Sequence, residues 1–131
     1  MKKASRRAAR LTSIVGDGKL EQVEALEALR LAAEAATDAL PDALMKCETD
    51  EQRRQVVRQR DLVLLAFLQS LNKSLKLTGA AFEQTAQNLE AAAGEVQKKA
   101  KGLKDATEAI HLFADLVRLA GSLALAFGGG G

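Results

Sequence analysis

The sequence is poor in the side chains that most protein chemistry needs. Its 131 residues include one cysteine, one histidine, four phenylalanines and neither tyrosine nor tryptophan. Cys47 has no second cysteine to pair with, so a fold stabilised by internal disulfides is excluded. The metal-binding spacings C-x-x-C, H-E-x-x-H and D-x-D-x-D-G are also absent. Because one histidine leaves few ways to build a catalytic pair, we expect a protein that is not an enzyme and has no cofactor or metal.

Long hydrophobic runs are missing too. Only Leu11 to Val15 separate the basic start from Gly16, which is too short for the apolar core of a signal peptide. The most hydrophobic stretch, residues 109–127, carries Asp115 and Arg118 near its centre, and each charge costs about 2.5 to 3.5 kcal/mol on membrane insertion. We expect a cytoplasmic protein, with membrane association as the alternative.

The residues that are abundant favour an all-α fold. The chain is crowded with Ala, Leu, Glu, Gln, Lys and Arg, which are strong helix formers, and it has no alternating β-strand pattern. Its length suits one domain. The prediction is an antiparallel helical bundle or hairpin over residues 1–127, with a basic arm or short helix at 1–16, helices at 19–40, 49–77 and 80–127, and a flexible glycine tail at 128–131.

Local residue types set these predicted helix ends. Pro41 lacks a backbone donor and clashes with the preceding turn, so it should end the second segment at Leu40. Thr49 and Gln52 form a capping box that begins the next helix, and Gly79 suits its C-terminal stop. The middle of that helix, residues 62–68, is apolar on all sides, which predicts a central, buried helix.

A heptad pattern runs through the last third of the chain. Steps of three and four residues from Phe82 meet apolar positions with two polar exceptions, Thr85 and Lys99. Such a pattern predicts coiled-coil-like packing of the helix with itself or with a partner. The predicted interaction seam consists of Phe82, Leu89, Val96, Leu103, Ile110, Phe113 and Val117, with a neighbouring row of small residues, Ala93, Ala100, Ala114 and Gly121, that permits close approach.

The region around Gly102 supports two alternatives. Lysines before Gly102, followed by Asp105 and Glu108 as a capping box, are typical of one helix ending and another beginning. The heptad register nevertheless continues across Gly102, which favours one long helix from about residue 80 to 127, kinked near Gly102. That helix would be about 70 Å long. A turn at Gly102 would instead produce a compact bundle of four similar helices.

Charge is distributed in blocks along the chain. Residues 1–10 contain five cations and no acid, namely Lys2, Lys3, Arg6, Arg7 and Arg10. Residues 11–50 contain nine acids against three cations, and residues 51–80 contain six cations against two acids. The basic arm could form a phosphate-binding surface together with Arg53, Arg54, Arg58 and Arg60. Blocks of opposite sign attract one another when helices fold together, so internal charge pairing is favoured over contact of these cations with anionic lipid. Nucleic acid is an unlikely ligand, because there is no Tyr or Trp on which bases could stack.

These patterns lead to two functional hypotheses. The first is a non-enzymatic helical interaction or scaffold protein that packs through the seam, either as a homo-oligomer or with a protein partner. The second is a membrane-active amphipathic protein, binding a lipid surface or forming pores, whose C-terminal hydrophobic helix enters the bilayer while the basic arm contacts anionic headgroups. The apolar seam would serve either function.

Overall fold

The computed structural model describes residues 20–128, which form a four-helix bundle. The helices are α1 (Gln22–Lys46), α2 (Asp50–Leu71), α3 (Ala80–Lys99) and α4 (Ala106–Ala124). A 3₁₀ turn, Ala100–Gly102, follows α3, and two short strands, β1 (Ser74–Leu75) and β2 (Phe127–Gly128), follow α2 and α4. The predicted all-α bundle is therefore confirmed at this level, whereas the basic arm at 1–16 and most of the glycine tail lie outside the described residues.

The helices alternate in direction. β1 pairs antiparallel with β2, so the C-terminal ends of α2 and α4 lie at the same end of the bundle. The Leu75 amide also donates to Gln22 Oε1 at 2.8 Å, which places the start of α1 at that end. Since α1 contacts α2 and α3, and α4 contacts the same two helices, the order around the bundle is α1, α2, α4, α3, and the α2–α3 connection crosses one end.

Helices α1 and α4, and not α2, are the central helices of the bundle. Each of them contacts all three of the other helices, and the alanines of α1, which allow close approach from several sides, are buried along most of its length. In α2 only Val56, Val63 and Ser70 are buried. The prediction of a central helix at 49–77 was therefore wrong, because an all-round apolar segment does not by itself decide how many neighbours a helix has.

The first helix continues through Pro41 to Lys46, so the predicted end at Leu40 was wrong. Thr37, whose carbonyl would have bonded the missing Pro41 N–H, is exposed, as is Pro41 itself. Water can therefore satisfy that carbonyl. The following turn is held by packing, since Ala43 and Cys47 are both buried in the core.

The second helix begins where predicted but ends earlier. Thr49 and Gln52 form the predicted capping box. The helix then stops at Leu71 instead of residue 77, because the chain leaves the helix to pair with the C-terminal segment: the amides of Lys76 and Leu77 both donate to the Ala126 carbonyl. Gly79 does not end this helix. With φ at 131°, a value that favours glycine, it forms the N-cap of α3.

The long C-terminal helix divides into α3 and α4, so the prediction of one kinked helix was wrong and the turn at Gly102 is what occurs. Asp105 caps α4 by accepting from the Glu108 amide at 2.9 Å, and Glu108 Oε1 accepts from the Lys104 amide at 2.8 Å. These two bonds satisfy amides that a continuous helix would have bonded internally. α3 and α4 then pack against each other.

Candidate interaction surface

The predicted interaction seam is divided between the interior and the surface. Most of its large residues are in the core of this same chain, where α3 and α4 pack on the rest of the bundle. Buried are Leu89, Val96, Leu103 and Phe113 with Ala93 and Ala100; half-buried are Phe82, Ile110, Val117 and Ala114; and Gly121 is exposed. The buried members hold the bundle together and are not available at its surface.

Four of the eight large apolar side chains that are exposed among residues 20–128 lie on α2; the other four are Val23, Met45, Leu77 and Leu125. Four leucines at three-residue spacing are nearly half exposed: Leu62 (41%), Leu65 (47%), Leu68 (46%) and Leu71 (49%). Successive helical residues are rotated by about 100°, so Leu65 lies almost opposite Val63, which is fully buried. We call these four residues the leucine stripe.

The leucine stripe crosses the outer surface of α2 obliquely. A row at three-residue spacing is inclined to the helix axis, so each leucine lies about 60° around the helix from the one before. Leu62 is on the side facing α4, where it lines a groove of about 430 Å³ with Ala114 and Val117. Leu71 is half a turn away, on the flank where Val57 lies near Leu44 of α1. Two half-buried members of the predicted seam, Ala114 and Val117, thus adjoin the stripe.

The stripe is free of charge and is bordered by cations. The eleven residues from Leu62 to Asn72 include no charged side chain. Before this segment, Arg60 pairs with Asp61 at 2.8 Å and Arg53 pairs with Asp50. Among residues 20–128, no ion pair is formed by Arg54 or Arg58, which precede the stripe, or by Lys73, which follows it.

Sequence reasoning missed the stripe, although one pattern pointed to it. At steps of three and four residues, the outward positions of α2 are Arg54, Arg58, Asp61, Leu65 and Leu68. The charged residues at the start of this row mark it as a solvent face, and continuing the row into the apolar segment places Leu65 and Leu68 on the same face.

A cationic surface was also predicted in the N-terminal arm. Lys2, Lys3, Arg6, Arg7 and Arg10, which were predicted to contact an anionic surface, lie outside the described residues.

The single histidine lies among acidic residues that cap α4 or pair with an arginine. His111 is exposed, and it shares a shallow depression on α4 with Asp105, Glu108 and Asp115. Asp105 and Glu108 cap the helix, and Asp115 lies 3.5 Å from Arg118. In the described part of the chain, no group of three or more His, Cys, Asp or Glu side chains is arranged to hold a metal ion.

The buried side chains include those of Glu83 and Cys47. Glu83, in the first turns of α3, is fully buried, and neither carboxylate oxygen has a hydrogen-bond partner among residues 20–128. Cys47, between α1 and α2, is buried and its thiol donates to the Ala43 carbonyl at 3.4 Å. Burial raises the pKa of Cys47, against a smaller lowering by Arg53, so the neutral thiol is favoured.

Comparisons of the chain with protein-family models, with curated proteins and with solved structures find no match. Over residues 20–128, none of the helices has both the length and the apolarity required to span a bilayer.

Proposed function

We propose that the protein is a non-enzymatic helical interaction protein that binds a protein partner through the leucine stripe of α2. The observation that carries this proposal is the exposure of Leu62, Leu65, Leu68 and Leu71 along the outer surface of α2, in a bundle whose other helices are well packed. Large contiguous apolar patches are rare on the surface of monomeric proteins and often mark interaction sites. We also propose that the protein acts in the cytoplasm.

The composition of the stripe supports binding to protein. The centre of a protein interface is depleted of charge and surrounded by a polar rim. The segment from Leu62 to Asn72 has no charge, while Arg58 and Lys73 stand at its borders. This arrangement moves the proposed contact from the heptad seam, much of which is internal, to α2 and the adjoining residues Ala114 and Val117.

The membrane-active alternative would require the bundle to open. The hydrophobic side chains of α4 that would enter a bilayer include Phe113, Leu116 and Leu123, all buried in the core. Removing each from the core would cost about 1.5 to 3 kcal/mol of apolar burial. Protein binding by the stripe needs no such rearrangement, so we favour it.

The test compares substitutions on and off the stripe. Leu65→Glu and Leu68→Glu place a charge on the stripe, and Met45→Glu is the control, because Met45 is 82% exposed but lies at the end of α1. The measurements are mass by light scattering, and quantitative capture of proteins from an extract of the source organism. Circular dichroism shows whether each variant is folded.

If the stripe binds protein, the wild type and Met45→Glu will associate with a protein, and Leu65→Glu and Leu68→Glu will lose that association. If all four proteins have the same mass and retain the same proteins, the stripe is not a binding surface. Flotation with anionic vesicles that is equal for wild type and Leu65→Glu would instead favour membrane binding through another part of the chain.

A further inference from the structure

The borders of the leucine stripe indicate what kind of partner it binds. From the charge and geometry of this surface we infer that the partner is an acidic amphipathic helix, with apolar residues at every fourth position and carboxylates near both ends. This inference rests on the proposed function of the stripe, and it specifies the chemistry of the partner.

The charge argument comes from the cations at the two ends of the stripe. Arg54 and Arg58 precede Leu62, and Lys73 follows Leu71; none of them takes part in an ion pair within the described residues. Opposite charges at the rim of an interface favour a partner by steering encounter and fixing register. A partner with carboxylates near both ends would meet cations at both.

The packing argument comes from the three-residue spacing of the leucines. Ridges at three-residue spacing on one helix pack well into grooves between ridges at four-residue spacing on another, at an interaxial angle of about 20°. Packing of two three-residue ridges against each other is rarer. A helix that presents apolar residues at positions i, i+4 and i+8 therefore fits the central leucines of the stripe, Leu65 and Leu68, which lie about 60° apart on the outward side of α2.

A second copy of this chain fits the surface poorly. In an antiparallel pair of α2 helices centred on the stripe, Arg58 of one copy would lie opposite Lys73 of the other. In a parallel pair, each cation would lie near the same cation of the other copy. Either arrangement brings like charges together, and both would pack two three-residue ridges against each other.

The span of the stripe also gives the length of the partner. Arg58 and Lys73 are fifteen positions apart, although Lys73 lies just beyond the end of α2. At 1.5 Å per residue this corresponds to about 22 Å, or roughly four helical turns. A partner helix of similar length places the carboxylates at its two ends near Arg58 and near Lys73.

The experiment uses three synthetic helical peptides of equal length and the full-length protein. The first peptide has leucine at every fourth position of its apolar face and glutamate near both ends. The second replaces those glutamates with lysine, and the third replaces the leucines with glutamine. Binding is measured by fluorescence anisotropy at low and high salt, with wild type, Leu65→Glu, Met45→Glu and the charge-reversed double variant Arg58→Glu/Lys73→Glu.

The expected result has two parts. Wild type and Met45→Glu bind the acidic leucine peptide, while Leu65→Glu binds it about tenfold or more weakly, since one leucine contact is lost. Arg58→Glu/Lys73→Glu reverses the preference, binding the lysine peptide several-fold more tightly than the acidic one. The charge preference weakens at high salt because exposed charges are screened.

Several outcomes would overturn the inference, and they separate it from the proposed function. Equal binding of the acidic and lysine peptides, with loss in Leu65→Glu, rejects the acidic partner but keeps the stripe as a binding surface. Absence of peptide binding, together with self-association that Leu65→Glu abolishes, makes a second copy the occupant. Vesicle binding that Leu65→Glu abolishes makes a membrane surface the occupant.

Discussion

Leu75 and Gln22 are joined by a hydrogen bond of 2.8 Å between the Leu75 amide and Gln22 Oε1, although they are 53 positions apart. The bond connects the strand after α2 with the first residue of α1. Leu75 also pairs with Phe127 in the two-stranded ladder. One short strand therefore connects the start of α1, the end of α2 and the segment after α4.

Removing this bond should loosen the strand locally. We expect Gln22→Ala to cost about 0.5 to 1.5 kcal/mol of stability, the usual net value of one hydrogen bond, and to speed hydrogen exchange of the Leu75 amide. Gln84→Ala is the control, because it removes only an exposed 3.0 Å bond to Asn88 within α3. Equal Leu75 exchange in both variants would show that the bond does not hold the strand.

The centre of α1 should not tolerate larger side chains. Ala36 is fully buried in α1, which contacts the other three helices, so Ala36→Leu forces neighbouring helices apart. Overpacking of this kind costs about 1 to 3 kcal/mol. The measurement is urea unfolding, and Ala91→Leu on the exposed side of α3 should change stability by less than about 0.5 kcal/mol. A similar result for both variants would contradict a tightly packed α1.

The interior carboxylate of Glu83 should lower the stability of the fold. Its oxygens are buried without partners among residues 20–128, and a buried charged group without compensation is costly. We expect Glu83→Met, which keeps an unbranched side chain of similar size and removes both oxygens, to raise the unfolding free energy by about 1 to 3 kcal/mol, the desolvation penalty of an unsatisfied group.

The control for Glu83 is Glu95→Gln, which removes an exposed pair with Lys99 at 3.3 Å. Exposed pairs contribute about 0 to 1 kcal/mol, so this change should be neutral or slightly destabilising. Both variants are measured by thermal and urea unfolding. A lower stability of Glu83→Met than of wild type would mean that the carboxylate is satisfied within the folded protein.

The thiol of Cys47 should react slowly in the folded protein. Burial raises its pKa, and the thiolate is the reactive form, so alkylation should be slower than in urea and should reach its half-maximal rate at a higher pH. The raised pKa also means that its contribution to stability is present below the ordinary thiol pKa and is lost as pH rises through the folded value. Alkylation by iodoacetamide, followed by mass spectrometry from pH 7 to 10, measures this. Equal rates with and without urea would be inconsistent with a buried thiol.

Features that depend on neighbouring residues could be predicted from the sequence. The capping box of Thr49 and Gln52 and the cap at Asp105 each use contacts within a few positions, so their residue types suffice to identify them. Gly102 was a useful marker of the break, yet space for a Cβ is available there. The caps and the packing of α3 on α4, more than the glycine, account for the turn.

Features that depend on distant residues were harder to predict. The heptad register continues from Val96 to Phe113 although the chain reverses between them, because two successive helices can each present an apolar face to the same core. The exposure of Leu65 likewise depends on which side of α2 the other helices cover. Alanines in α1 carry little hydrophobic weight individually, so sequence periodicity understated how central that helix is.

The shared position of Gln22 and Gly128 beside β1 has a consequence for how the chain can be connected. Gln22 bonds Leu75, and Gly128 pairs with Ser74, so the first and the last residues of the four-helix core both lie next to the same two-residue strand. A short linker is therefore long enough to join them, and new termini fit at the exposed residues Lys101 and Gly102. The four-helix core is in this sense suited to circular permutation, with α4 becoming the first helix and the leucine stripe unchanged on its surface.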